Sequence, residues 1–314
     1  MSPLTKEGFP RALARSLGWQ GEREPVESVL ARIPPLDSLS DLPHGTPVWI
    51  RADLDVADRD GVIGDDPRLA SLHETLVHGR ARGWRMVLLG HRGRKPEQTL
   101  EYVHQRLRAL EGDRAGPFLR DWFDEREVAL TGTALRAVEA LAPGGWLVLE
   151  NVRRYGFEQK AWKATPDDLP AVADLFARVG AAFRRAATVY VNDAVAASNK
   201  DFSSAALPLS MDRATLGVFA RRELAEHAVR AREAGLVSFS GLKLDKIDDL
   251  HGIVRRGRVE VILAGGNLAM ALRKAEGESR GADVSIGAAG DPARSGEKTY
   301  VPPEAVESAR ALVD

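Results

Sequence analysis

Met86-Val87-Leu88-Leu89-Gly90-His91-Arg92-Gly93-Arg94 is an apolar run that stops at a glycine and turns at once into an imidazole and two guanidiniums. The same change of character occurs four more times. Val48-Trp49-Ile50 leads into Arg51, Asp53 and Asp55, and Trp146 to Leu149 leads into Glu150, Asn151, Arg153 and Arg154. Thr188 to Val191 leads into Asn192 and Asp193, and Val261 to Leu263 leads into Gly265, Gly266 and Asn267. Short continuous apolar runs followed by helical segments read as strands buried on both faces, as in a parallel sheet. In open α/β sheets ligands bind beyond the carboxyl ends of the strands. Arginines and carboxylates therefore sit where such a fold keeps its site, and they predict an anionic ligand.

Composition narrows the classes. A chain of 314 residues suits two domains or one large one, and 44% hydrophobic residues suffice for real cores. Lys and Arg (44) nearly balance Asp and Glu (45), for a net charge of −1. That balance argues against a general nucleic-acid or membrane-surface binder and predicts that charge acts locally. The absence of cysteine excludes disulfides, thiolate catalysis and Cys-ligated zinc. No run reaches the roughly 18 apolar residues of a membrane span, and the start lacks a signal-peptide core. A cytoplasmic protein is expected.

Residues 1–45 read as an amphipathic leader, with a helix over 24–33 ended by Pro34-Pro35. From Pro47 to about Ser204 strand and helix alternate, which implies right-handed βαβ units. An N-terminal domain is expected over 1–212. Residues 213–235 read as one long charged connector helix. Residues 236–314 begin a second α/β region with only two clear strands. That is little for an independent sheet, so the region either adds to the first sheet, needs a partner, or is a shortened form of something larger.

The motifs are individually modest. Gly90 to Pro96 is a Gly-bracketed basic loop, able to grip phosphate or carboxylate through bidentate guanidiniums, or simply a solvated loop. Asp65-Asp66-Pro67-Arg68 reads as a helix start in which Arg68 opposes the dipole. Gly265-Gly266 is either a phosphate cradle or tight strand–helix packing.

In order and spacing, however, the segments resemble phosphoglycerate kinases. Residues 47–55 resemble the family's R-V-D-F-N strand, 63–69 its D-D-x-R-I, and 88–96 its S-H-L-G-R-P. Residues 149–153 match L-E-N-V-R and 190–194 match Y-V-N-D-A. Residues 240–247 resemble G-G-A-K-V-S-D-K-I, and 264–269 resemble I-G-G-G-M-A. The likeness implies parallel Rossmann-like sheets in two lobes, with the N-terminal lobe complete and the C-terminal nucleotide lobe truncated. It also implies phosphoryl transfer between 1,3-bisphosphoglycerate and ADP, with Mg²⁺, through positioning and charge neutralisation. Asp53, Arg68, His91, Arg94 and Arg153 match the substrate patch, Asp55 stands for its Asn and Lys200 for its Arg. Lys246 and Arg68 match the residues that act on the transferring phosphoryl. Gly241, Lys243, Lys246, Gly265, Gly266 and Asn267 match the nucleotide site.

The departures gather at the chemistry. The family's G-T-A-H-R-A-H reads Ala196-Ala197-Ser198-Asn199-Lys200-Asp201-Phe202, which removes both histidines and the Arg fork. The third base-site glycine is Asn267, and the lysine loop is one residue short. The family's G-P-M-G-x-F-E and G-G-G-D-T segments have no counterpart, and no residue is assigned to a metal. Binding of Mg-ATP or Mg-ADP is therefore expected to be weakened and turnover impaired. The alternatives are a non-catalytic binder of a phosphorylated small acid or of a partner protein, and a split kinase completed by a second polypeptide; the partners expected are a small phosphorylated acid and a second polypeptide or a second copy of the chain.

Overall fold

The computed structural model describes residues 8–21, 24–64, 66–112, 114–241, 246–255 and 257–313. The chain forms two compact units, one up to Glu226 and one from His227.

In the first unit the strands are Pro47–Arg51 (β1), Arg85–Leu89 (β2), Ala115–Leu119 (β3), Phe123–Asp124 (β4), Ala129–Leu130 (β5), Trp146–Leu149 (β6), Val189–Asn192 (β7) and Arg213–Leu216 (β8). The pair β4–β5 is a small antiparallel hairpin. The other six strands form one parallel sheet in the order β3-β6-β2-β1-β7-β8.

Side chains alternate across a strand, so each apolar run feeds two cores. Trp49, Val87, Leu147, Leu149 and Tyr190 pack on one face with Leu13, Val138, Phe176 and Phe183 from three helices. Val48, Ile50, Met86, Leu88, Trp146, Val148 and Val191 pack on the other with Leu69, Leu76, Val103 and Leu107. The uninterrupted apolar runs are thus explained by helices on both sides of the sheet.

Three segments differ from the sequence reading. Phe9, Leu13 and Leu17 of the supposed leader are buried in the first core. Residues 213–235 are not one helix: β8 pairs with β7, and Gly217 separates it from the helix Val218–Arg222. The strand β3 carries Gly116 and Pro117, which hide its character. It lies at the sheet edge, where a proline removes no hydrogen bond the ladder needs.

The second unit holds Leu236–Gly241 (β9) and Val261–Gly265 (β10), a two-stranded parallel sheet. The helices Lys246–Val254, Gly266–Ser279 and Pro303–Val313 build its core from Ile247, Leu250, Leu268, Ala271, Val306 and Ala309. No helix among the described residues is long and apolar enough to cross a membrane.

Gly217 sits where β7 and β8 meet the next helix, and its N–H donates to Asn192 O at 2.8 Å. A Cβ there would lie 2.3 Å from Asp193 Cγ, and Asp193 is buried while accepting from the Ala220 N–H at 2.8 Å. Gly217→Ala should therefore cost about 1–3 kcal/mol through overpacking. Chemical denaturation checks this; an unchanged midpoint would show that Asp193 moves aside freely.

Candidate anion-binding site

The four central strands β6, β2, β1 and β7 are neighbours, so the loops that follow them gather at one edge of the sheet. Those loops carry Glu150–Arg154, Gly90–Arg94, Ala52–Asp55 and Asp193 onward.

Arg51, at the end of β1, is fully buried. Its Nε donates to Ser203 Oγ at 2.9 Å, and its Nη1 to Ala52 O at 2.9 Å. Its Nη2 donates to Ala197 O at 3.3 Å and faces His91 Nδ1 at 3.0 Å. A guanidinium has only donors, so this partner assigns the tautomer: Nδ1 accepts and the His91 proton is on Nε2. Burial, then Arg51, Arg153 and Arg68, hold the imidazole pKa down to about 2. His91 therefore offers a neutral N–H, with Nε2 3.8 Å from Asp55 Oδ2.

Arg68 lies in the helix Pro67–Ser71 and is about half exposed. Its Nη1 is 3.4 Å from Asp53 Oδ1, donates to Asp55 O at 3.2 Å, and lies 3.9 Å from Asp55 Oδ2. The cation that opposed a helix dipole in the sequence has carboxylates for partners. Burial raises the Asp53 carboxyl and Arg68 opposes the rise. Asp55 Oδ1 accepts from the Gly93 N–H at 2.7 Å. Gly93 has φ +63°, and a Cβ there would lie 1.9 Å from Gln98 Oε1, so the tight loop requires glycine.

Arg153 donates through Nη1 to Gly93 O and stacks its guanidinium 4.8 Å from the Trp162 ring centroid. Burial lowers its pKa, while Asp201, Glu158 and Asp55 oppose that. Arg51, Arg68 and Arg153 thus all bear on one neutral imidazole. Arg94 and Lys200 are exposed, and the structure does not draw their side chains into this cluster.

Other polar residues build the loops. Glu150 accepts from the Leu100 and Asn151 N–H groups, both at 2.8 Å, and from Thr99 Oγ1 at 2.7 Å. Asn151 donates to Arg92 O and Gln98 O, both at 2.8 Å. Arg92 is buried and donates to Val56 O and Thr99 O, at 2.9 and 3.0 Å. Of the two guanidiniums in the quoted loop, this one is structural.

Sequence reasoning named Arg51 only as a strand-end charge and gave no role to Glu158, Asp201 or Ser203. Glu158 accepts from Ser203 Oγ at 2.5 Å and from Ser203 N–H at 3.0 Å, and Asp201 Oδ2 is 3.9 Å from Arg51 Nη2. Burial and mutual repulsion raise the Glu158 pKa, and burial raises that of Asp201. A legible signal did exist: an arginine inside a strand buried on both faces requires buried partners.

In the second unit, Gly265 and Gly266 form the start of the 14-residue helix Gly266–Ser279. Gly266 has φ +63° and bridges to Gly241, whose O a Cβ would meet at 2.5 Å. Asn267 is buried and donates to Lys298 O at 2.9 Å. Lys243 lies outside the described residues, as does the side chain of Lys246. Among the described residues no three His, Asp or Glu side chains converge as a metal-ligand set.

A family model described as phosphoglycerate kinase matches residues 39–298. The chain belongs to the phosphoglycerate kinase family. It is 30% identical over 255 residues to the phosphoglycerate kinase of Novosphingobium aromaticivorans, covering 78% of this chain and 58% of that one. It is also 30% identical over 262 residues to that of Clavibacter michiganensis, covering 79% and 59%. The chain therefore spans about three-fifths of the length of these curated relatives. The crystal structure of the Pyrococcus horikoshii phosphoglycerate kinase shares the fold, with a TM-score of 0.68 at 21% identity over 86% of this chain and 63% of that one. The Coxiella burnetii phosphoglycerate kinase structure gives 0.59 at 24% identity over 87% and 61%.

In this phosphoglycerate kinase relative His91 should stay neutral throughout the physiological range. Its imidazole carbon and nitrogen NMR shifts should show no inflection between pH 5 and 8. A midpoint near the ordinary 6.5 would mean that Arg51 does not hold Nδ1. The sign for stability follows: below about 6.5 the unfolded chain binds a proton that the folded site refuses, so His91 withdraws stability as pH falls.

Proposed function

We propose that this chain binds a phosphorylated three-carbon acid, 3-phosphoglycerate, around His91. It would do so as the acid-binding part of phosphoryl transfer between 1,3-bisphosphoglycerate and ADP. The supporting observation is the bearing of Arg51, Arg68 and Arg153 on one neutral imidazole. Arg68 and Arg153 keep guanidinium donors for phosphate or carboxylate oxygens, and the His91 Nε2–H adds a donor that does not titrate. Asp53 is placed to accept from a ligand hydroxyl.

The nucleotide is assigned to Gly241, Gly265, Gly266 and Asn267 with Lys243 and Lys246. Gly266 is exposed at the start of the helix Gly266–Ser279, and a helix N-terminus suits a phosphate-bearing ligand. A Mg²⁺ ion would arrive bound to the nucleotide phosphates. The residues of this chain bind, orient and neutralise; the resemblance to the family gives Lys246 and Arg68 the role of neutralising the transferring phosphoryl.

Binding with little turnover is the form of this activity that the residues favour. Lys200 replaces a fork by a point charge, and the Asn267 amide at the nucleotide site is engaged by Lys298 O. A second polypeptide supplying further nucleotide-lobe groups would then restore the rate.

Isothermal titration should find 3-phosphoglycerate binding more tightly than ADP. Arg153→Ala and Arg68→Ala should each weaken it by about ten- to a hundredfold, the worth of a charge-assisted contact of roughly 1.5–3 kcal/mol. Tighter ADP binding contradicts the reading. A coupled assay with ATP, Mg²⁺ and 3-phosphoglycerate should give little turnover; a rate of about 1–100 s⁻¹, usual for kinases, would show a competent enzyme.

A further inference from the structure

Arg153 stands apart from Arg51 and Arg68 in how it is held. The one described hydrogen bond of its side chain, from Nη1 to Gly93 O, fixes only one corner of the guanidinium, and its Nε is buried without a hydrogen-bond partner among the described residues. The remaining constraint is the face of Trp162, 4.8 Å away. Trp162 is 39% exposed, so core packing does not fix it either. Its indole Nε1–H donates to Asp201 Oδ1 at 2.5 Å.

Asp201 faces a buried cation from behind. Its side chain is fully buried, and its other oxygen, without a hydrogen-bond partner among the described residues, lies 3.9 Å from the equally buried Arg51. Arg51 is in turn held by Ser203, which is clasped through both N–H and Oγ by Glu158. The chain of contacts runs from a rigid, buried guanidinium through a carboxylate and an indole to the guanidinium that faces the ligand pocket. Asp201 stands where the resemblance places an alanine of the family's G-T-A-H-R-A-H segment, in the same run that loses the substrate arginine to Lys200.

We propose that Trp162 and Asp201 form a positioning clamp for Arg153, so that the affinity of the pocket for a phosphorylated acid depends on two residues that do not touch the ligand. The clamp rests on the site reading given above. Asp201 carries two opposed effects. Its charge is repulsive to an anion, whereas its grip on the indole orients the cation that attracts the anion. The clamp states that the second effect dominates.

The experiment separates the two. Affinity for 3-phosphoglycerate is measured by titration calorimetry on the full chain and on Asp201→Ala, Asp201→Asn, Trp162→Phe and the Asp201→Ala/Trp162→Phe double variant. Removing the grip should weaken binding by about three- to thirtyfold, the range a guanidinium–indole contact is worth. Trp162→Phe, which keeps a ring but loses the N–H, should fall in that range, and the double variant should be no weaker than Asp201→Ala. Asp201→Asn retains an oxygen for the indole N–H and should rescue what Asp201→Ala loses. Binding by Asp201→Ala as tight as or tighter than that of the parent chain overturns the clamp, because the grip would then not outweigh the repulsion. A second readout needs no ligand: the Arg153 Nε–H resonance should be ring-current shifted in the parent chain and lose that shift in Asp201→Ala and Trp162→Phe. Should the parent chain fail to bind 3-phosphoglycerate, the site reading falls while this resonance still decides the clamp, and an unmoved Arg153 signal overturns it.

Discussion

The site depends on the burial of Arg51. A guanidinium removed from water without partners would be strongly destabilising, and breaking a buried charge pair typically costs about 3–5 kcal/mol. The fold meets that demand with Ser203 Oγ, two backbone carbonyls, the His91 ring and the nearby Asp201 carboxylate. These partners come from the loops after β2 and β7, so satisfying one buried charge ties three strand ends together. It also fixes the His91 tautomer, and with it the direction in which the pocket can donate.

Charge balance then shapes the pocket. Asp53, Asp55 and Asp201 lie among Arg51, Arg68 and Arg153. The carboxylates hold guanidiniums in place before any ligand arrives, which lowers the cost of ordering them on binding. Asp55 shows how a departure from the family pattern is accommodated. Its Oδ1 accepts the Gly93 N–H, a bond that an asparagine carbonyl makes equally well. The added charge falls beside Arg68 and toward the His91 N–H, where it is compensated.

The sequence was most legible where local pattern and global fold agree. The apolar runs at Val48–Ile50, Met86–Leu89, Trp146–Leu149 and Val189–Val191 announce buried parallel strands because helices cover both faces of the sheet. The polar clusters after them gather at one edge of the sheet because the strands are parallel neighbours. The edge strands β3 and β8 were illegible, since Gly116 and Pro117 or a leading Arg213 mask a strand that pairs on one side only. The supposed leader hid its role because its helix Gly8–Ser16 packs on segments far along the chain, the helix Leu169–Arg184 and residues 202–210. Within the site, Arg92 and Arg94 look alike in sequence. Only the carbonyls of Val56 and Thr99 show that Arg92 is structural. Glu158 carries no motif, and Asp201 stands where the run 196–202 departs from the family's; their meaning comes from what the fold packs against them.

A crystal structure of the chain with 3-phosphoglycerate bears most directly on the role of the Arg51-centred cluster. The ligand oxygens should lie within hydrogen-bond distance, about 2.7–3.2 Å, of Arg68 and Arg153, with His91 Nε2 donating to the ligand and Arg51 unmoved beneath it. A ligand bound away from these side chains, or one that draws His91 off Arg51, would contradict that role.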